Sequence, residues 1–403
     1  MKKIKEGYKM TELGEIPSEW EVKKLKDIAN ICYGKSQKEV EVDNGKYKIL
    51  GTGGIIGYTN DFLWNEPSVL IGRKGTIDKP QYIEEPFWTV DTLFYTKLND
   101  DFLAKWFYYY LDNIDLKKYN EATGVPSLSV SNLNTISIAI PPYEEQGKIA
   151  SILTTVDEQI DNVDELIEKN KELKKGLMQQ LLTKGIGHTK FKKTEIGEIP
   201  EAWEVLRIGD IAKFQGGYAF KSSDYIDNGI NLVKITNVQQ KDLIWSDTNF
   251  LPKEFLYKYS EYRLNFGDVV IAMTRPIISS GIKVCKVKET DIPSLLNQRV
   301  GRFICSDKVS GKYLYQYCFS DYFINKVGEL CSTTGQPNIS SNQIESIMIS
   351  LPSINEQEKI ELILSEVDEK IEEYENKKQK LEEIKKGLMQ QLLTGKIRVC
   401  KGD

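Results

Sequence analysis

A single histidine, His188, sets the first limit on the chemistry this chain can carry. Serine-histidine or cysteine-histidine nucleophilic catalysis would have to rest on it, and most zinc hydrolase sites draw on two or three histidines. It stands in Lys184-Gly185-Ile186-Gly187-His188, a glycine-rich stretch that reads as a linker. The six cysteines (Cys32, Cys285, Cys305, Cys318, Cys331, Cys400) are scattered without a Cys-x-x-Cys pair. They describe buried free thiols rather than a zinc site or a disulfide framework, and no metal site is expected.

Other motifs invite a catalytic reading and fail on chemistry. Ile140-Pro141-Pro142-Tyr143 resembles the (Asn/Asp)-Pro-Pro-(Tyr/Phe) signature of amino-methyltransferases. The first position there must be an Asn or Asp that holds the target amino group, and Ile140 cannot; the matching site in the second half is Leu351-Pro352-Ser353-Ile354. Both are read as strand-to-helix turns. Gly51-Thr52-Gly53-Gly54 lacks the Lys-Ser/Thr of a phosphate loop and the spacing of a dinucleotide motif, so it is read as a turn. The adjacent acids Asp100-Asp101 and Glu144-Glu145 are expected to be solvated or to complement a helix dipole. No catalytic residue is expected in this chain.

What remains are clusters that mix a cation with a hydroxyl or an amide. They are Tyr33-Gly34 with Lys35, Ser36, Gln37 and Lys38; Arg73, Lys74 and Thr76; Lys117-Lys118-Tyr119; Phe220 with Lys221, Ser222 and Ser223; Lys234; Thr274 and Arg275; Gln298 and Arg299; and Gln336. Lysine and arginine can meet phosphate or a guanine edge, while Ser, Thr and Gln can read a base edge, so these are candidate DNA-binding residues. Arg73 and Arg275 fall in comparable loops after a strand. The net charge of −5 runs against a simple DNA-binding reading. Two long helical segments supply −4: Gln146 to Gly185 carries six Lys against seven acids, and Glu356 to Lys396 eight against eleven. Rods of that sign suit a protein partner. The segment Ile196 to Asn355 balances 17 Lys and Arg with 17 acids, whereas Thr11 to Glu145 sets 14 against 21.

These candidates sit in a chain that is written twice. Thr11-Glu12-Leu13-Gly14-Glu15-Ile16-Pro17 and Trp20-Glu21-Val22 return as Thr194-Glu195-Ile196-Gly197-Glu198-Ile199-Pro200 and Trp203-Glu204-Val205, offset by 183 (203 − 20). Lys174 to Thr183 returns letter for letter as Lys385 to Thr394, offset by 211 (394 − 183). The ends of the module are shared while the middles diverge, which predicts a common frame carrying two different surfaces related by a pseudo-twofold axis.

Each half closes alike. Alternating Ile136, Ile138, Ile140 and Ile347, Ile349, Leu351 read as a last strand, stopped by Pro141-Pro142 and Pro352. A long helix follows, with Asn355 and Glu358 fitting a capping box and Gly185 and Gly395 standing at the ends. Ile149, Leu153, Val156, Ile160, Val163 and Ile167, and then Ile360, Leu364, Val367, Ile371 and Tyr374, repeat every 3.5 residues, the pattern of a coiled-coil seam. Asn170 and Lys378 interrupt it. About 40 residues make a rod of about 60 Å. Pseudo-twofold symmetry makes the two helices antiparallel, with the domains at opposite ends.

The expected fold is α+β: two globular mixed α/β domains separated by two long antiparallel coiled-coil helices, pseudo-twofold symmetric. Expected boundaries are domain 1 at 1–145, spacer helix 1 at 146–185, a linker at 186–195, domain 2 at 196–355, spacer helix 2 at 356–396 and a tail at 397–403. No uncharged apolar run approaches the roughly 18 residues of a membrane span, and the Lys-rich start lacks the apolar core of a signal peptide. A cytoplasmic protein is expected.

In order and in duplicate, these features resemble the specificity subunits of type I restriction-modification systems. The resemblance rests on Trp20-Glu21-Val22 and Trp203-Glu204-Val205; Phe266-Gly267-Asp268-Val269-Val270-Ile271; Thr123-Gly124-Val125-Pro126 and Thr334-Gly335-Gln336-Pro337; Pro141-Pro142-Tyr143-Glu144-Glu145-Gln146 and Pro352-Ser353-Ile354-Asn355-Glu356-Gln357; and the repeated Lys-Lys-Gly-Leu-Met-Gln-Gln-Leu-Leu-Thr. The first half departs from it around Pro67-Ser68-Val69-Leu70, where the Gly-Asp pair is absent. The resemblance implies that each domain reads one half of a split, asymmetric target in double-stranded DNA and that the helices fix the gap. It also implies two modification (methyltransferase) subunits acting on adenine N6, and restriction/translocase subunits. S-adenosylmethionine, ATP and Mg would belong to those partners, with no cofactor in this chain. The alternative is a coiled-coil scaffold that binds proteins without any DNA sequence preference.

Overall fold

The computed structural model describes residues 4–279, 281–332 and 337–399. They form two compact units: Met1–Glu165 together with Tyr374–Asp403, and Leu166–Glu373.

Both units are mixed α/β and built on one plan. In the first, β1 (Ala29–Tyr33), β2 (Ser68–Gly72), β3 (Gln81–Ile83) and β4 (Leu93–Leu98) form an antiparallel sheet in the order β1-β4-β2-β3. In the second, β5 (Ala212–Gly216), β6 (Val269–Ala272), β7 (Val284–Lys286) and β8 (Val300–Cys305) repeat it as β5-β8-β6-β7. The missing Gly-Asp pair of the first half therefore leaves the central strand in the same place in its sheet.

Strands β2 and β6 are buried along their whole length, as continuous apolar runs are when both sheet faces are covered. Strand alternation divides them between two cores. Val69 and Ile71 enter one with Trp20 and Trp106, while Leu70 enters another with Phe87 and Tyr95. Val269 and Ile271 likewise join Trp203 and Tyr313, while Val270 and Ala272 join Leu296 and Val300. A three-stranded sheet accompanies each: Gly54–Thr59, Tyr47–Gly51, Phe87–Thr89 in the first unit and Asn249–Leu251, Ile230–Val233, Ser294–Leu296 in the second. The opening of each repeat is tied to its close by an antiparallel pair, Glu21–Lys24 with Ser137–Ile140 and Glu204–Arg207 with Met348–Leu351. Ile136 and Ile347 lie just before those last strands and are buried there.

Two long helices follow, α1 (Tyr143–Lys184) and α2 (Ile354–Leu392). The second opens at Ile354, so Asn355 lies in the first turn rather than capping it, and the Ser353 carbonyl accepts from the Glu356 and Gln357 N–H groups. Both helices end at a left-handed glycine, Gly185 (φ 64°) and Gly395 (φ 69°), as a helix C-terminus favours. No described helix is long and apolar enough to cross a membrane.

Each unit holds the start of one helix and the end of the other. In the first, Ile149, Ala150 and Leu153 share a core with Met389, Leu392 and Leu393. In the second, Ile360 and Leu364 share one with Leu181 and Leu182. The positions that repeat every 3.5 residues are the ones turned inward: Ile149, Leu153, Val163, Ile167, Ile360, Leu364, Val367 and Ile371 are buried, and Val156, Ile160 and Tyr374 partly so. The first two positions of each series pack into a domain core, however, not into a seam reserved for two helices. Ion pairs fix direction. Lys378 meets Asp164 at 2.7 Å and Lys385 meets Asp157 at 2.7 Å. Seven residues forward on α2 (385 − 378) match seven back on α1 (164 − 157), as only antiparallel helices allow. Asn170 plays no part in that pairing; its amide donates to the Leu166 carbonyl of its own helix at 2.7 Å.

Candidate nucleic-acid interface

The frame comes first, because it accounts for groups that could pass for chemistry. Glu145 is buried rather than solvated: it accepts from the Trp20 indole N–H at 3.0 Å and from Arg398 at 2.9 Å. Glu356 accepts from the Trp203 indole at 2.9 Å, and its other oxygen lies 2.8 Å from His188 Nε2. His188 is thus engaged in joining the linker to the start of α2. Gln146 and Gln357 follow suit, each donating to the proline carbonyl before its helix, Pro141 at 3.1 Å and Pro352 at 2.9 Å. Those bonds make Ile140-Pro141-Pro142-Tyr143 a strand-to-helix turn. The thiols of Cys285 and Cys318 are buried, and burial pushes both pKa values well up, which keeps them protonated.

In the second unit Asp368 of α2 gathers three partners: Lys174 at 2.5 Å, Lys241 at 2.8 Å and the Gln316 amide at 3.1 Å. Burial alone would raise this carboxyl, but Lys174 and Lys241 outweigh it and hold it below the usual range.

The candidate cations of the first unit meet around one loop. Past β2, the Arg73 N–H donates to the Thr92 carbonyl, the Arg73 carbonyl accepts from Leu128, and the Gly75 N–H donates to Pro126. The Arg73 guanidinium donates to the Asp91 carbonyl at 3.0 Å and lies 5.3 Å from the centre of the exposed Tyr33 ring. Next to Tyr33, Gly34 packs so closely on Thr89 and Val90 that a Cβ would lie 2.0 Å from the Val90 carbonyl. That contact holds Lys35 beside Trp88, whose indole N–H donates to the Lys35 carbonyl at 2.9 Å. Lys35, Ser36, Lys38, Lys74 and Thr76 are exposed, and Gln37 is half-buried. Lys117 stands apart, paired with Asp78 at 2.7 Å.

The second unit repeats this loop with other side chains. The Met273 N–H donates to the Arg299 carbonyl, the Met273 carbonyl accepts from Ile339, and the Arg275 N–H donates to Pro337. Bond for bond, Met273 stands where Arg73 stands, and Arg275 where Gly75 does. The loops are comparable, as the sequence suggests, but the two arginines are two positions out of register. Gln298 joins the cluster, its N–H donating to the Tyr218 carbonyl at 2.8 Å, and Thr274 bridges Asn338. Gln298, Arg275 and Arg299 are exposed. Lys221, Ser222 and Ser223 lie farther along the same segment, exposed in a short 3-10 turn. Lys234 is engaged within the protein, 3.0 Å from Asp247 and 2.6 Å from the Asn249 side chain. Gln336 lies outside the described residues.

Backbone strain marks the same place. Among the described residues, three that are not glycine have positive φ: Lys241 (73°), Arg275 (46°) and Arg299 (66°). A side chain in the left-handed region costs on the order of 1–2 kcal/mol. Tyr33 of the first cluster lies beside Arg73, whereas Tyr218, which the sequence clusters do not include, packs against Phe220, Tyr259 and Tyr262. The signal for Tyr218 is the shared glycine, Tyr33-Gly34 against Gly217-Tyr218 at the repeat's own offset of 183 (217 − 34).

Comparison with known proteins agrees with this duplicated plan. The family model for the type I restriction modification DNA specificity domain matches residues 17–174 and again 200–384. The chain is 35% identical to the type I restriction enzyme MjaVIII specificity subunit of Methanocaldococcus jannaschii, over 98% of this chain and 96% of the relative. It is 28% identical to that organism's putative MjaX specificity subunit over 98% and 97%. Among solved structures, the S subunit of a type I restriction-modification system from M. genitalium superposes with a TM-score of 0.64 at 18% identity, covering 93% of this chain and 96% of that one. A chain from a study of complex assembly and conformational transition of the type I R-M system superposes with a TM-score of 0.53 at 12% identity, covering 95% and 99%. With the specificity domain matched once in each half and full-length relatives of the same kind, the chain belongs to the family of type I restriction-modification specificity subunits.

Proposed function

We propose that this chain reads a split target in double-stranded DNA, one half-site per domain, and carries no catalysis of its own. One observation supports this most: the two units hold the same loop with the same backbone bonds, yet fill it with Arg73-Lys74-Gly75 in one and Met273-Thr274-Arg275 in the other. A common frame with unlike side chains, Lys74 exposed in one and Arg275 in the other, is what reading two unlike half-sites requires. The antiparallel helices, pinned by heptad-spaced ion pairs, serve as the spacer that fixes the gap. Their acidic surface suits docking of two modification subunits and of restriction/translocase subunits. S-adenosylmethionine, ATP and Mg then belong to those partners, and adenine N6 is the methylated atom.

The test is binding of duplex DNA by the full chain together with its modification subunits, as salt is raised. The expected outcome is an affinity that falls linearly with log salt and a single preferred duplex bound at least about 10³-fold more tightly than random sequence. A protein-binding scaffold would show neither. Binding of S-adenosylmethionine by the chain alone would instead support a self-contained methyltransferase.

A further inference from the structure

Among the described residues, three cationic ones hold left-handed backbone, and of these only Lys241 has a described partner for its side chain. Lys241 is fixed by its ion pair to Asp368. Arg275 and Arg299 are exposed, and no hydrogen bond or ion pair joins either guanidinium to another described residue. They belong to one loop cluster, since the Met273 N–H, two residues before Arg275, donates to the Arg299 carbonyl at 2.7 Å. In the first unit the equivalent positions hold Gly75, which takes φ 88° without strain, and Thr92. The first unit's own arginine in this loop, Arg73, is already tied to Asp91 and lies beside Tyr33. Strained backbone persists where the surroundings and the task require it. Here the groups it presents are two forked donors that meet no partner among the described residues, which points to a partner outside the chain. A guanidinium matches the O6 and N7 acceptors of guanine with two parallel hydrogen bonds from one rigid planar fork, which the flexible ammonium of lysine does not pre-organise.

We propose that Arg275 and Arg299 are specificity-determining residues of the second domain that read guanine in its half-site, and that the first domain reads its own half-site without arginines at these two positions. The assignment rests on the DNA-reading function proposed above and adds the base class and the residues.

Glycine is the informative replacement, because Arg275→Gly and Arg299→Gly delete the side chain while relieving the backbone. The full chain, purified with its modification subunits, is used to select from a duplex library randomised across both half-sites, and each variant's melting temperature is recorded. Each glycine variant is expected to melt no lower than the parent. It should lose about tenfold or more of the preference for G·C at one position of one half-site, with the other half-site unchanged. Arg275→Lys and Arg299→Lys should keep the salt dependence yet weaken the same preference. The assignment is overturned if the variants keep the parent's base preferences, if binding falls equally for all sequences as for a phosphate contact, or if the glycine variants melt lower. A parent that selects no sequence at all sinks the proposed function and this assignment together. A parent that selects a split sequence which the variants also select sinks the arginine assignment alone.

Discussion

At the scale of residues, Asp368 is where the fold can be tested most sharply. It joins Lys174, Lys241 and Gln316, and its side chain is only 22% exposed. Asp368→Asn removes the charge both lysines answer and is expected to cost roughly 1.5–3 kcal/mol, the range for hydrogen bonds to charged groups. The pH dependence has a definite sign. A carboxyl held below its usual value contributes stability that is complete above that value, 3.8, and is lost as pH falls through the lowered one. Urea unfolding of the second unit should therefore show the variant weaker at pH 7 and close to the parent in strong acid. Parallel pH profiles would remove Asp368 from this role. The sequence showed the candidate cations but not their partners. Nothing local in the run before Lys234 announces Asp247 thirteen residues on, and nothing in the doubled acids at Glu144 and Glu145 says that one is solvent-facing and the other buried under Trp20. Those distinctions come from contacts distant in the chain.

At the scale of elements, the helices were the most legible part, because a repeat of 3.5 residues over five or six positions is a strong local signal. Their ends shifted slightly, with the second opening at Ile354, and the first two seam positions of each proved to be domain core. Periodicity says which face is buried and not against what. The strands β2 and β6 could be read as apolar runs, but their matching places in two sheets of the same order came from long-range pairing. The spacer reading makes its prediction here. Removing one heptad from α1 alone, residues 158–164, deletes Asp164, the partner of Lys378, and shortens α1 against an unchanged α2. A chain so shortened, tested against duplexes carrying the two half-sites at stepped separations, should prefer a different gap or bind none. Unchanged preference for the parental gap would mean that the helices do not measure it.

At the scale of the whole molecule, duplication is the organising fact and it was visible from the start, in the offsets of 183 and 211 that bracket two divergent middles. The family match falls once on each half, and both units rebuild the same sheet order and the same helix-start glutamate under a tryptophan. The frame could be read from letters because it is repeated in both halves, and the loops could not because they differ between them. The net charge, read alone, pointed away from DNA; the helices carry −4 and Thr11 to Glu145 carries −7, so the case for DNA rests on local clusters, in which Lys35, Lys38, Lys74, Lys221, Arg275 and Arg299 are exposed. The central claim is that two unlike domains read two unlike half-sites, and mapping methylated adenine across the genome of a host with and without this gene tests it most directly. The account predicts one motif that appears only with the gene, made of two different half-sites separated by a fixed number of unread base pairs. An undivided motif, a motif of two identical halves, or methylation unaffected by the gene would contradict it.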